Sequence, residues 1–469
     1  MRVPRPQILL SGALCQIRAH TEFTYHRQGH DLQSHAHLHV AKSHEPPAHS
    51  LRDISDTSFA VEIINNTPND NIHAYILSDH DNGVALITSE SDFFSPLAYT
   101  QGRATPTPEE ANLGIPLGTS RSTKRLNNLP IQLLSARIVI SVGTLNVTKN
   151  TASLSMPGYL GGTLEALTDW SFIEANVQDN TLYVNPTFVD FAGLPLDFDL
   201  TTPSSRSEYT GLLSDGISRL CQQLREAQAE DGQPWSDLCL KDSNGGDLRI
   251  KSPAHDEGFD GYWDKYIEQV WQHYSSTGLA FVVNGDTKIE CRADIVKEVM
   301  TCNGTSAEFA KPTSSDIWGC DGSTTFGHSD PTIHALGPAF CAAIHRGTLL
   351  VPDGETQPCL RSDKYYPPDQ RHNKYASLLH VQQSNHTGYA FPYDDVKAAS
   401  DDDVSGLLAG SHPTCLRIYV GGRSQHPLVG SGPSPSDSLS MSPSFTNSSF
   451  VARSRQVPTK ASQSTTVAL

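Results

Sequence analysis

The chain has 469 residues, and 34 Lys+Arg against 51 Asp+Glu give a net charge of −17. Such an acidic balance excludes nucleic acid as a partner, because phosphate binding needs a basic stripe, and it disfavours an anionic membrane surface. The hydrophobic fraction, 37%, falls below the ~45–50% apolar content of an average globular chain, so part of the chain is expected to lie outside any packed core.

Residues 1–56 form a polar leader. Arg2 and Arg5 precede Ile8–Leu14, a short apolar run like that of a secretory signal, which Gln16, Arg18 and His20 interrupt. Eight of the 20 histidines lie in residues 20–56, including His35, His37 and His39. Alternating histidines could share one strand face and bind a metal, but no carboxylate or cysteine stands at ligand spacing, and a solvated leader is the simpler reading. No apolar run approaches the ~18 residues that span a bilayer.

Residues 57–205 are strand-like. Thr57–Asn65 alternates, with Phe59, Val61 and Ile63 on one face. Ile72–Ser78 and Val84–Thr88 flank Asn82-Gly83, a strong hairpin signal. Ala136–Val147, Trp170–Val177 and Thr181–Phe191 read as further strands, with no good amphipathic helix before residue 205. Residues 206–384 are mixed. Helical spacing marks Gly211–Gln228, Asp260–Tyr274, Ala335–His345 and Asn373–Gln383, and Leu279–Val283 and Lys288–Ala293 read as strands. Residues 385–424 close on Leu416–Val420, a strand expected to return to the first half, before Gly421-Gly422. Residues 425–469 are rich in Ser, Pro and Thr and are expected to form a disordered tail.

The nine cysteines contain no CxxC, which rules out a zinc ribbon or thioredoxin motif. Eight lie between Cys221 and Cys415, an even number that fits four disulfides in an oxidising compartment. Sequons at Asn65, Asn146, Asn303, Asn385 and Asn447 add to the expectation of a secreted glycoprotein.

No GxSxG, GxGxxG, Walker A or HExxH pattern is present, so carboxylates are the place to look for chemistry. Glu174 is the one acidic residue in Trp170–Asn176, and Asp190 stands alone among large apolar residues in Asn185–Leu196. A single carboxylate on a strand usually faces solvent. Glycoside hydrolysis supplies a reason for both: one acid protonates the leaving oxygen, and a second carboxylate activates water or attacks the sugar. Apolar neighbours raise the pKa of the acid, and aromatic rings offer sugars a flat surface.

The runs Trp170-x-Phe172-x-Glu174, Leu182-Tyr183-Val184-Asn185-x-Thr187-x-Val189-Asp190-Phe191-x-Gly193-Leu194-Pro195-Leu196 and Tyr389–Val396 resemble glycoside hydrolase family 64. The likeness covers about residues 57–424. It implies a β-rich α+β fold, in which a thaumatin-like β-sandwich or barrel is joined to a mixed α/β domain with a wide cleft between them. It also implies an endo-β-1,3-glucanase, working with inversion on β-1,3-glucan as a monomer and without a cofactor. Glu174 would be the general acid and Asp190 the general base, with Asn176, Tyr183, Asn185 and Thr187 lining the sugar subsites. Departures from the family pattern are Ser135-Ala136-Arg137 in place of Gly-Gly-Arg, Val139 and Ile140 in place of aromatics, and Ser78 in place of glycine. They keep a second reading open, a thaumatin-like protein that binds glucan without cleaving it.

Geometry raises one difficulty. A tight turn at Asp179-Asn180 would set Glu174 opposite Asn185, leaving Asp190 five residues, or roughly 17 Å, farther along. An inverting pair needs ~6.5–9.5 Å. Either the second strand bends, with Pro186 a candidate site, or the hairpin is not simple.

Overall fold

The structure, a computed structural model, describes residues 58–80, 83–87, 93–94, 114–130, 133–145, 148–150, 153–155, 157–160, 165–283, 287–383, 386–399, 401 and 403–423, with short pairs at 25–26 and 37–38. The interior of the expected leader, the whole of the expected tail, the sequons at 146, 385 and 447, and the Asn82 turn position lie outside these residues.

Alternation sets the first half. The strands in chain order are β1 (Ser58–Asn65), β2 (Ile72–His80), β3 (Gly83–Ile87), β4 (Thr123–Pro130), β5 (Leu134–Val142), β6 (Trp170–Gln178), β7 (Thr181–Pro186), β8 (Phe191–Ala192), β9 (Leu196–Thr201) and β10 (Arg206–Tyr209). After them come α1 (Gly216–Asp231), β11 (Cys239–Lys241), β12 (Asp247–Lys251), α2 (Asp264–Ser276), β13 (Leu279–Val283), β14 (Thr287–Asp294), β15 (Val299–Cys302) and β16 (Glu308–Ala310). The last elements are α3 (Ser314–Gly319), α4 (Pro331–His345), α5 (Lys374–Gln382), β17 (Leu408–Ser411) and β18 (Cys415–Val420).

Two sheets face each other across one core. The larger runs β17-β7-β6-β5-β2-β3, and the smaller β10-β9-β18-β1-β4. Phe59, Val61 and Ile63 of β1 meet Ile138 and Ile140 of β5, Ile173 and Ala175 of β6, and Leu416 and Ile418 of β18 in that core. The closing strand β18 lies in the middle of the smaller sheet, parallel to β1 and antiparallel to β9.

The mixed half builds a separate core. Its sheet runs β16-β15-β14-β13, and Thr356–Gln357 pairs parallel to β13. Helix α2 buries Tyr266, Ile267, Val270, Trp271 and Tyr274, a three- and four-residue spacing that presents one face to this core. Helix α4 starts at Pro331, and the Asp330 side chain accepts hydrogen bonds from the Thr332 and Ile333 amides. A small sheet, β8-β12-β11, links the halves through Phe191 and Ala192. No helix among the described residues is long and apolar enough to cross a membrane.

Several expectations need correction. Thr181–Phe191 is not one strand: β7 ends at Pro186, and Phe191 and Ala192 join a different sheet. Proline has no amide to donate to the ladder, which favours a break there. The strand expected at Ala136–Val147 stops at Val142, and α1 starts at Gly216 rather than Gly211. Cysteines 221–415 do not close into four bridges. Cys221–Cys239, Cys291–Cys302 and Cys320–Cys341 are bonded and Cys359 is bonded too, but Cys415 is free and buried within β18. Asn65 is fully buried, and its side chain bonds the Asn69 carbonyl at 2.7 Å and the Thr67 hydroxyl at 2.7 Å, so the folded protein has no room for a glycan there. Asn303, by contrast, is exposed.

Candidate active site

The hairpin β6–β7 builds the site. Asp179 and Asn180 both take left-handed backbone angles, φ 50° and 60°, as a two-residue type I′ turn requires. The register that follows places Glu174 opposite Asn185, Asn176 opposite Tyr183, and Gln178 opposite Thr181. Directly opposed residues share a face, so Glu174, Asn176, Tyr183 and Asn185 all point away from the sandwich core. On the other side of β6, Arg137 of β5 is opposite Glu174.

Below these polar residues the same face is apolar. Tyr75, Leu77, Val139, Phe172, Trp170 and Phe191 form a second cluster, and the Arg137 guanidinium sits 5.3 Å from the Phe172 ring centre. Val139, standing where an aromatic was expected, is buried in that cluster.

Glu174 is held loosely. Arg137 Nε lies 3.8 Å from one carboxylate oxygen, and Asn185 Nδ2 donates to the other at 3.3 Å. Burial raises the Glu174 pKa above the ordinary glutamate value; Arg137 and Asn185 oppose that rise, and the charge of Asp190 adds to it. The charge of Asp190 is therefore felt at Glu174. The hairpin is simple but its second strand ends at Pro186, so the straight-strand separation of roughly 17 Å does not apply to Asp190. Arg137 Nε and Asn185 Oδ1 are buried and have no hydrogen-bond partner among the described residues.

Asp190 is buried, with 7% of its side chain exposed. His255 Nε2 lies 3.0 Å from its Oδ1, and the Tyr159 hydroxyl lies 3.3 Å from the same atom. The loop before Asp190 is tied to the mixed half, since the Phe188 amide donates to the Tyr389 carbonyl at 2.7 Å and the Tyr375 hydroxyl donates to the Phe188 carbonyl at 2.7 Å. Tyr389 also donates to Asp395 at 2.9 Å, and burial pushes the Asp395 pKa up to about 6.

Of the six residues singled out in the sequence, Glu174 and Asp190 interact, and Asn176, Tyr183 and Asn185 share the face of Glu174. Asn176 accepts a hydrogen bond from the Ser135 amide at 3.1 Å, and Asn185 is 2% exposed. Thr187 lies just past the end of β7 and is buried. Sequence reasoning passed over Arg137, Tyr159 and His255. The two partners of Asp190 stand 31 and 65 residues away from it, so no local pattern joins them to it.

Among the described residues, two groups bring metal-ligand types together, Cys320/Cys341/His345 and Cys221/Cys239/Asp247. In both, the cysteines are disulfide-bonded. The imidazole nitrogens of His345 are engaged by the Ile317 carbonyl at 2.8 Å and Asn373 Nδ2 at 2.9 Å. Neither group is arranged to coordinate an ion.

A family profile described as Beta-1,3-glucanase matches residues 57–420. A glucan endo-1,3-beta-glucosidase of Cellulosimicrobium cellulans is 29% identical over 255 residues, covering 49% of this chain. The chain spans 42% of that relative's length. Among solved structures, a laminaripentaose-producing beta-1,3-glucanase in complex with laminaritetraose superposes with a TM-score of 0.66 at 21% identity, covering 78% of this chain and 98% of that one. A beta-1,3-glucanase domain (GH64) from Clostridium beijerinckii gives 0.60 at 20% identity, covering 79% and 99%.

Proposed function

Because the chain belongs to glycoside hydrolase family 64, the β-1,3-glucanases, we propose that it is a secreted, monomeric endo-β-1,3-glucanase that cleaves with inversion. In this reading Glu174 protonates the departing glycosidic oxygen and Asp190 activates the attacking water. The observation that carries it is the contrast between two interacting carboxylates. Glu174 is pushed toward its protonated form, as an acid must be. Asp190 sits within hydrogen-bond reach of a histidine and a tyrosine, an environment suited to the ionised form that a base needs.

The sugar chain would cross the polar end of the larger sheet, in a cleft between a thaumatin-like half and the mixed half. Tyr183 offers a ring, Asn176 and Asn185 offer amides, and Thr187 flanks the strand break. Arg137 Nε, whose nearest carboxylate oxygen is that of Glu174 at 3.8 Å, and Asn185 Oδ1 make no hydrogen bond among the described residues, which leaves them polar groups that a bound hydroxyl could satisfy. The net charge of −17 suits an uncharged polysaccharide. The disulfide-bonded cysteines support an oxidising compartment.

Proton NMR of laminarin digestion tests the reading. The expected first product is the α-anomer at the new reducing end, and accumulation of the β-anomer would indicate retention instead. The substitutions Ser135 and Val139 favour a second reading, a glucan-binding protein without activity. Retention on insoluble β-1,3-glucan with no oligosaccharide released would support that one.

A further inference from the structure

Asp190 is gripped from outside its own loop, and the grip comes from one short turn of the mixed half. The Ser252 amide donates to the Asp190 carbonyl at 2.8 Å, and three residues later His255 Nε2 reaches the Asp190 carboxylate at 3.0 Å. Pro253–His255 forms a 3-10 turn that Ser252 caps, and the His255 amide donates to the Ser252 carbonyl at 3.0 Å. Backbone and carboxylate of Asp190 are therefore set by the same segment.

The Tyr159 hydroxyl closes a triangle, 3.0 Å from His255 Nε2 and 3.3 Å from Asp190 Oδ1. Its ring stacks on Phe191 at 5.1 Å and meets the His255 ring edge-on at 5.3 Å. Its carbonyl accepts from Arg249 Nη1 at 3.2 Å, and that fully buried guanidinium packs 4.6 Å from the Phe191 ring centre. None of these side chains is free to turn away.

We infer that His255 and Tyr159 are positioning residues for the water-activating carboxylate, with His255 presenting its Nε2–H to Asp190; this rests on the reading of Asp190 as general base. Donor counting supports the assignment. An ionised carboxylate only accepts, and a neutral imidazole has one donor nitrogen. With Nε2 unprotonated, two acceptors would face each other at 3.0 Å. With Nε2–H present, the imidazole donates to Asp190 and the tyrosine proton is left to do the same.

The need for such donors follows from what else faces Asp190. It is buried, it interacts with Glu174, and the Tyr375 hydroxyl lies close enough to feel its charge. Burial and a neighbouring acid both favour the protonated form of Asp190, which cannot take a proton from water. Two donors on one oxygen counter both effects and fix the plane of the carboxylate. The role is expressed in the chemical step and not in glucan affinity.

The test uses the full chain with laminarin as substrate. His255→Leu is expected to lower kcat about 10–100-fold, the cost of a lost charge-assisted hydrogen bond, with KM near the wild-type value. The acid limb of the kcat/KM profile should move to higher pH. His255→Gln should recover much of kcat, because its side-chain amide can place a donor at similar reach, and Tyr159→Phe should show a smaller loss. The imidazole tautomer, read from 15N chemical shifts assigned against His255→Gln, should be Nε2–H in the wild type, and this readout does not depend on how well the leucine variant folds. A Nδ1–H tautomer, or wild-type kcat and acid limb in His255→Leu, would overturn the inference while Asp190→Asn remains inactive. Full activity in Asp190→Asn would instead overturn the reading of Asp190 on which it rests.

Discussion

Two carboxylates, one in each half, are treated in opposite ways. Asp394, in the mixed half, is fully buried and saturated: Arg346 reaches it at 3.1 Å, His380 Nε2 at 2.9 Å, and the Ala390 amide at 3.1 Å. Burial alone would raise its pKa, but His380 and Arg346 outweigh it and hold the carboxyl below the usual aspartate range. Glu174, on the sandwich hairpin, has one arginine at 3.8 Å and one amide at 3.3 Å, and its pKa is raised. A carboxylate whose lone pairs are all engaged is a structural strut that holds Arg346 and the Phe391–Val396 turn together. One held by long contacts on an interior strand, between β5 and β7, is biased toward its protonated form.

The sharpest break in this contrast is catalytic. Glu174→Gln and Asp190→Asn should each cut laminarin hydrolysis by about 10²–10⁴-fold, the usual share of a positioned acid or base. Glu174→Gln should leave the urea midpoint unchanged or slightly raised, since it removes a poorly paired, half-buried acid. Asp394→Ala should do the reverse and destabilise the protein by about 3–5 kcal/mol, because Arg346 is left buried without its partner; denaturant titration measures this. Wild-type activity with unchanged stability in Asp394→Ala would dissolve the distinction.

Dependence on pH separates the two kinds further. Asp394 has a lowered folded pKa, so its contribution is present above the unfolded value near 3.8 and is lost as pH falls through the folded one. Asp395, its neighbour, has a folded pKa of about 6, raised from 3.8. Its folded form binds more protons in that window, so stability falls as pH rises from about 3.8 to about 6. Melting temperatures across that range should decline less steeply in Asp395→Asn than in the wild type.

The smallest effect concerns the start of β5. Ser135 sits at φ 47°, in the left-handed region, where the family pattern has glycine. Ser135→Gly should raise stability by about 0.5 kcal/mol, the left-handed strain relieved less the entropy glycine loses. Urea unfolding resolves that change, and a loss of stability would show that the Ser135 amide bond to Asn176 depends on the side chain's stiffening of the turn.

What the sequence made legible was local. The Asp179-Asn180 turn predicts the hairpin register, and the observed pairing of Glu174 with Asn185 follows it. Alternation in β1 and the helical stripe of α2 place their buried faces correctly. The end of β7 was legible only as one of two alternatives, because Pro186 weakens a ladder without saying where the chain goes next. The side chains that hold Asp190 in place were not legible. Tyr159, Arg249 and His255 meet Asp190 and Phe191 through sheet pairing between β8 and β12, which joins residues some sixty positions apart. Ser78 shows the same limit. In place of glycine it looks like a loss, yet its hydroxyl accepts from the Leu134 amide at 3.1 Å across the bulge between β2 and β5.

The position of β18 carries a consequence for how the molecule comes to be made. Its residue Ile418 pairs with Ile63, and its neighbours on both sides, β1 and β9, were synthesised long before it. Until residue 420 has left the ribosome, the smaller sheet has a gap at its centre, with two strand edges facing an empty slot. Such late, long-range closure slows folding and leaves edges open to wrong partners. The candidate-site hairpin in the facing sheet therefore rests on a core that β18, late in the chain, completes, so premature termination before Cys415 removes the support of the whole sandwich and not merely one strand.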